Sequence, residues 1–204
     1  PSVMTAFGCF QGIKAALKHA GLGEKLEGVK VAVQGVGNVG YHLCSYLSAA
    51  GAKLIITDIY PNQVEKVVQE FDATVVTPDQ IYAVDADIFA PCALGAILNE
   101  RTIPQLKCKI VAGSANNQLE NDNDGKALAD KGIVYCPDYA INAGGLINVA
   151  AEIDGYNKEL VLNKVSKIYD TIDLILSRSE SEGVLPQEAA AQISEQRLAQ
   201  AAFI

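Results

Sequence analysis

The sequence predicts an α/β fold, a mostly parallel and doubly wound sheet followed by C-terminal helices. Six short β-branched runs alternate with helical patterns, which implies a parallel sheet covered on both faces. A glycine string links the first run directly to a helix, and beyond Pro137 the strand pattern gives way to helical periodicity. With 204 residues, half of them apolar, the chain is long enough for a full core and reads as one domain. Its parts are a leading helix within 1–27, a core at 28–150 and helices at 151–204.

The leading segment places Val3, Phe7, Phe10 and Leu17 at helical spacings, and Gly21 and Gly23 end it. The six strand candidates are Val29–Val33, Lys53–Thr57, Ala73–Val76, Asp87–Ala90, Lys109–Ala112 and Gly132–Tyr135, each bounded by turn residues. The clearest intervening helix runs from Asn38 to Ala50, with Val39, Leu43, Leu47 and Ala50 on one face. The acidic stretch Leu119–Asp124 reads as a solvated loop leading into a helix. Val161, Val165, Ile168, Ile172 and Ile175 form one apolar seam on a long helix, expected to dock back within the chain. A last helix starts with Pro186 in its first turn and runs to about Ala201.

The charge balance argues against nucleic acid and acidic membranes as partners. Sixteen Lys and Arg against 24 Asp and Glu leave a net charge of −8, so no broad basic footprint for phosphate is expected and an anionic ligand has to be held locally. The five cysteines, Cys9, Cys44, Cys92, Cys108 and Cys136, are odd in number and widely spaced, as reduced thiols in a cytoplasmic protein would be. No secretory leader is visible and no unbroken apolar run reaches about 18 residues. The sequence opens at Pro1 without a Met, as part of a longer or processed protein would.

The string GVGNVG, Gly35 to Gly40, follows the first strand and opens the helix at Asn38, the order that a dinucleotide site of the Rossmann type requires. Gly35 allows the tight turn, Gly37 lets the backbone approach a pyrophosphate, and Gly40 lets helix and strand pack closely. Val36, Asn38 and Val39 complete the loop, whose helix N-terminus offers unpaired N–H donors to a diphosphate. Asp58, 23 residues after Gly35, ends the next strand at the position of an acid that accepts from adenosine ribose hydroxyls and repels a 2′-phosphate. With Ile59 beside it, and Lys66 the only basic residue between Ile59 and Glu70, NAD is favoured over NADP. The alternative is a plain βα turn with a solvated aspartate.

In such a sheet ligands sit beyond the carboxyl ends of the strands. The segments there are PCALG (Pro91–Gly95), GSANNQL (Gly113–Leu119) and PDYAINAGGLINV (Pro137–Val149). Their polar candidates are Asn116, Asn117, Asp138, Asn142 and Asn148, where an asparagine serves equally as a carboxamide partner or as a turn former. His19 and His42 read as surface or core residues. Cys92 falls beside the expected cofactor without an activating base and reads as packing.

The run from PSVMTAFG through VAVQGVGNVG, DIFAPCALG, AGSANNQL and PDYAINAGGLINV resembles the Glu/Leu/Phe/Val dehydrogenase family over nearly the whole chain. The resemblance implies NAD-dependent, reversible oxidative deamination of an L-amino acid to a 2-oxo acid and ammonia, in a homo-oligomeric parent protein. It assigns Gly35–Gly40, Asp58 and Ile59 to the adenosine and pyrophosphate half of NAD. Thr5, Ala93, Asn117 and Asn142 then lie near the nicotinamide and the amino-acid head group, and Cys92, Ala115 and Asn116 are implied as further cofactor contacts. Asn142, Leu146 and Val149 are implied for the substrate pocket, and the position held by Leu146 is often Val in leucine enzymes, which leaves the side-chain preference open. The family's glycine-rich segment, whose two lysines bind the substrate carboxylate and act as general base, is not found in these residues. No catalytic residue and no metal site is therefore assigned to this chain; alone it is expected to bind NAD weakly, without turnover. The competing readings are a free-standing NAD-binding or sensing module and an NAD-linked oxidoreductase acting on another substrate.

Overall fold

Each of the six predicted runs forms a strand in the computed structural model, which describes residues 1–153 and 155–202. The strands are β1 (Lys30–Gln34), β2 (Lys53–Thr57), β3 (Thr74–Val75), β4 (Ile88–Pro91), β5 (Ile110–Val111) and β6 (Val134–Tyr135). All pair in parallel, in the order β3-β2-β1-β4-β5-β6. The chain winds outward from β1 to β3, then crosses back to β4 on the other side of β1. The loops leaving β1 and β4 therefore diverge, and a crevice opens between them at the carboxyl edge of the sheet.

Alternation along the strands divides the core. Val31, Val33, Leu54, Ile56, Ile88 and Ala90 face the layer that holds α1 (Ser2–His19) and α2 (Asn38–Ala49). Ala32, Phe89, Val111 and Tyr135 face Leu128 of α4 (Asp122–Asp130) and the short 3₁₀ turns carrying Ile81 and Ile103. The remaining helices are α3 (Pro61–Phe71), α5 (Asp138–Ile141), α6 (Gly144–Ala151), α7 (Lys158–Ser166), α8 (Ile168–Glu182) and α9 (Pro186–Ala201). No described helix is long and apolar enough to cross a membrane.

The structure corrects the predicted elements in four places. Strands β3, β5 and β6 are two residues each, although the extended backbone of the last two runs on, with Ala112 N–H bonded to the Phe89 carbonyl and Cys136 N–H to that of Val111, both at 3.0 Å. In α1 Leu17 is buried as predicted, together with Met4 and Ile13, but the rest of the buried side is made of small residues and not of Val3, Phe7 and Phe10. Gly8 and Gly12 admit Ile168 and Ile141 so closely that a Cβ at either would fall 2.5 Å from their side chains. Val3 is exposed, and Phe7 and Phe10 pack half-buried on Tyr46 with ring centroids 5.7 and 5.6 Å away.

The predicted long helix is divided at Lys167. Ser166 Oγ donates to the Asn163 carbonyl at 2.7 Å, the acceptor that the Lys167 N–H would otherwise use, and that N–H bonds Lys164 instead. The seam survives the break: Val161, Val165, Ile168, Ile172 and Ile175 are all buried in the cluster that includes α1. Each such burial is worth about 1.5–3 kcal/mol relative to an exposed side chain. The acidic stretch is helical from Asp122, and Asp124 is buried, its carboxylate accepting from the Asn121 N–H at 2.7 Å to close the helix start.

Candidate functional site

The three glycines of the loop are needed for three different reasons. Gly35 has φ +93°, and a Cβ there would sit 2.6 Å from that of Ala93, so the loop after β4 lies directly against the turn. A Cβ on Gly40 would strike the Gly35 carbonyl, whose carbon lies 2.9 Å away, so α2 can approach β1 only without a side chain. At Gly37 there is no such steric demand. Its φ is −67°, and beyond the loop's own neighbours and among the described residues only Gln63 Oε1, at 3.6 Å, lies within 4 Å of a Cβ built there.

Gly37 is also the N-cap of α2, and no side chain caps that helix. The first N–H groups of α2 therefore point into open space at the positive end of the helix dipole. Asn38 is exposed and Val39 half-buried, while Val36 is buried beneath. Asp58, from the end of β2, is tied to this loop: one carboxylate oxygen accepts from Val36 N–H at 2.7 Å, the other from Tyr60 N–H at 3.0 Å. Ile59 projects into solvent beside it. The arrangement fits a nucleotide diphosphate: an open cradle of main-chain donors, with a carboxylate on its adenosine side.

The loops after β4 and β5 lock together. Gly95 packs against the Asn116 and Asn117 carbonyls, Ala96 N–H donates to the Asn117 carbonyl at 2.6 Å, and Ala96 and Asn117 both take positive φ to do so. Asn142, after α5, donates to Asn116 Oδ1 at 2.6 Å and to the Ser114 carbonyl at 3.3 Å. Ala115 is buried under this pair. Thr5 sits against Gly145 at the start of α6 and donates to the Pro1 carbonyl. Part of the predicted set thus gathers along the carboxyl edge as two clusters, Gly35–Gly40 with Asp58 and Ala93, and Ala115–Asn117 with Asn142, while Thr5 packs on Gly145 of α6.

Leu146 and Val149, three residues apart on α6, are exposed at 74% and 48%, an apolar strip turned to solvent. Asp138 and Asn148 serve structure instead. Asp138 accepts from the Gln118 and Tyr139 N–H groups, and Asn148 is buried, accepting from the Tyr156 hydroxyl.

Sequence reasoning missed Gln118. It is fully buried, and its Nε2 donates to the Gly113 and Ala115 carbonyls, both at 2.9 Å, which shapes the loop under Asn116. An amide inside AGSANNQL looks like any loop residue until those carbonyls are seen converging on it.

Cys92 lies behind the glycine loop, its Cβ 3.5 Å from the place of a Cβ on Gly40. Burial pushes its thiol up, as it does those of Cys9 and Cys44; Cys108 is raised to about 11 and Cys136 to about 12. None of them is poised as a nucleophile. Iodoacetamide at about pH 8 is expected to leave Cys9, Cys44, Cys108 and Cys136 unlabelled in the native chain. Intact-mass spectrometry counts the adducts, and more than one adduct without denaturant would contradict this burial.

His19, at the end of α1, is not a free surface residue: its ring nitrogens lie 2.6 Å from Glu180 and 2.8 Å from Asp173 of α8. His42 is half-buried on α2.

The family model of glutamate/leucine/phenylalanine/valine dehydrogenases matches residues 2–59 and 56–203. The chain belongs to this family. Within it, leucine dehydrogenase of Bacillus cereus is 54% identical over 199 residues, which are 98% of this chain and 54% of that enzyme. L-tryptophan dehydrogenase of Nostoc punctiforme is 49% identical over 199 residues, and its crystal structure superposes with a TM-score of 0.96, covering 98% of this chain and 61% of the other. Hetero-hexameric glutamate dehydrogenase of Thermus thermophilus shares the fold, at a TM-score of 0.78 and 20% identity. The chain spans about half the length of the curated relatives it matches.

Proposed function

We propose that this chain is the cofactor-binding half of an NAD-dependent amino-acid dehydrogenase, interconverting an apolar L-amino acid with its 2-oxo acid and ammonia. The observation that carries the reading is an uncapped helix N-terminus at Gly37 paired with a carboxylate at Asp58, in a chain 54% identical to a leucine dehydrogenase.

Each cluster has a distinct task in this reading. The α2 N–H groups and the loop Gly35–Gly40 hold the diphosphate without a cationic side chain, which suits a chain of net charge −8. Asp58 receives the ribose hydroxyls, Ile59 bounds the adenosine side, and Ala93, with Cys92 beside it, faces the nicotinamide side. Ala115, Asn116, Asn117, Asn142 and Thr5 orient the nicotinamide end. When bound, NAD supplies the hydride acceptor for the amino acid's α-carbon. Asn142 places an amide beside the substrate head group, and Leu146 and Val149 offer their apolar strip to the substrate side chain. The lysines that would bind the substrate carboxylate and act as general base are assigned to protein outside these residues. The intact protein is proposed to be a cytoplasmic homo-oligomer.

The full-length protein should oxidise NADH with 4-methyl-2-oxopentanoate only when ammonia is present. Turnover without ammonia would favour a different NAD-linked oxidoreductase. Among 2-oxo acids, branched aliphatic and aromatic side chains should outpace 2-oxoglutarate.

Asp58 supplies a sharper test of cofactor choice. The wild type should prefer NADH to NADPH, and Asp58→Ser should narrow that preference by about tenfold, the equivalent of about 1.4 kcal/mol of removed charge repulsion. Fluorescence titration with each cofactor reads the ratio. A wild type that already prefers NADPH would refute the role given to Asp58.

A further inference from the structure

Gln63 stands in the first turn of α3, five residues past Asp58, on the segment that follows the adenosine side of the crevice. Its side-chain oxygen is the only atom, beyond the loop's own neighbours and among the described residues, within 4 Å of a Cβ built on Gly37. The carboxamide forms no hydrogen bond with any described residue, and Gln63 is exposed. The single cation on the same helix, Lys66, is committed elsewhere: its Nζ lies 3.9 Å from the centroid of the Tyr41 ring, whose hydroxyl donates to Glu70 at 2.5 Å. Among the described residues the open side of the cradle is thus bordered by one unengaged amide and by no free cation from α3.

We infer that Gln63 is a diphosphate-binding residue, its Nε2 adding a side-chain donor to the main-chain donors of Gly37 and α2. A half-turn of the terminal amide exchanges Oε1 for Nε2 at nearly constant shape, so the group that borders the cradle can present a donor to an anion. The inference rests on the NAD reading above. It goes further in naming a residue outside the glycine loop, and it implies that affinity responds to the charge carried at position 63.

A charge series tests it. NADH is titrated by fluorescence into the wild type and into Gln63→Leu, Gln63→Glu and Gln63→Lys, with the thermal midpoint of each measured to confirm folding. Loss of one hydrogen bond to a charged group predicts about tenfold weaker binding for Gln63→Leu. Gln63→Glu keeps the shape but turns an anion toward the diphosphate, so it should bind more weakly than Gln63→Leu, with a deficit that shrinks as salt is raised. Gln63→Lys should bind at least as tightly as the wild type. A merely structural role for Gln63 produces no such ordering. If the wild type binds NADH and all three variants bind within about twofold of it, the inference is overturned while the NAD reading stands. If the wild type fails to bind NADH, both fall together.

Discussion

Replacing Gly37 with Asp is expected to abolish NADH binding while leaving the chain folded, and slightly more stable than the wild type. The backbone at Gly37 has φ −67°, open to any residue, and a Cβ there meets nothing closer than Gln63 Oε1 at 3.6 Å. Position 37 is also the N-cap of an uncapped helix. An aspartate there can accept from the first N–H groups of α2, a contact worth roughly a few tenths of a kcal/mol over the glycine it replaces. For a chain of this size that raises the thermal midpoint by about 1 °C. The same carboxylate uses the donors proposed for the diphosphate and would face it with a like charge. Two charges about 4 Å apart at an effective dielectric constant of about 20 repel by about 4 kcal/mol, so a loss of more than about a hundredfold in affinity is expected. Stability and binding should move in opposite directions, which separates a lost site from a lost fold. Unchanged affinity would remove Gly37 from the site.

Gly40→Ala should do the reverse and damage the fold itself. The added methyl would enter the Gly35 carbonyl, main chain on main chain, at the one place where α2 must approach β1. Relief requires α2 to slide or the turn at Gly35 to open, and Gly35 is itself pinned by its N–H bond to the Thr57 carbonyl and by Ala93. Overpacking of this kind costs about 3 kcal/mol or more, a fall of roughly 10 °C in midpoint. NADH binding weakens with it because the cradle loses its shape. A midpoint within about 2 °C of the wild type would show that the helix and strand are not held as closely as described.

The contrast between these two glycines bears on what a sequence reveals. GVGNVG after a β-branched run is legible because each glycine answers a separate local demand, and β1, α2 and Asp58 fall at spacings set by the geometry of one βαβ unit. The strands are legible because Val and Ile crowd between turn residues. Other features depend on groups distant in sequence. Asn142 and Asn116 are 26 residues apart and meet because β5 and β6 are neighbours in the sheet. The amide of Gln118 gains its meaning from two carbonyls that only the folded loop presents to it.

Helix α1 misled because periodicity ranks residues by apolarity. A helix packed against α2, α6 and α8 needs small residues, and Gly8 and Gly12 carry no hydrophobic signal. At Ser166 a hydroxyl captured a main-chain carbonyl and divided a helix that its apolar seam alone would continue. Gln63 is invisible for a related reason: a polar residue in a first helical turn is ordinary until the loop it faces is known.

We propose that this chain holds NAD at the N-terminus of α2. Amide chemical shifts of the ¹⁵N-labelled chain, followed during titration with NADH, test it most directly. Saturable shifts are expected at Val36 to Gly40 and at Asp58 to Tyr60, then at Ala93 and Asn116 to Asn117, with α8 and α9 unmoved. Shifts that saturate elsewhere and leave Gly37 to Gly40 unmoved would contradict the account.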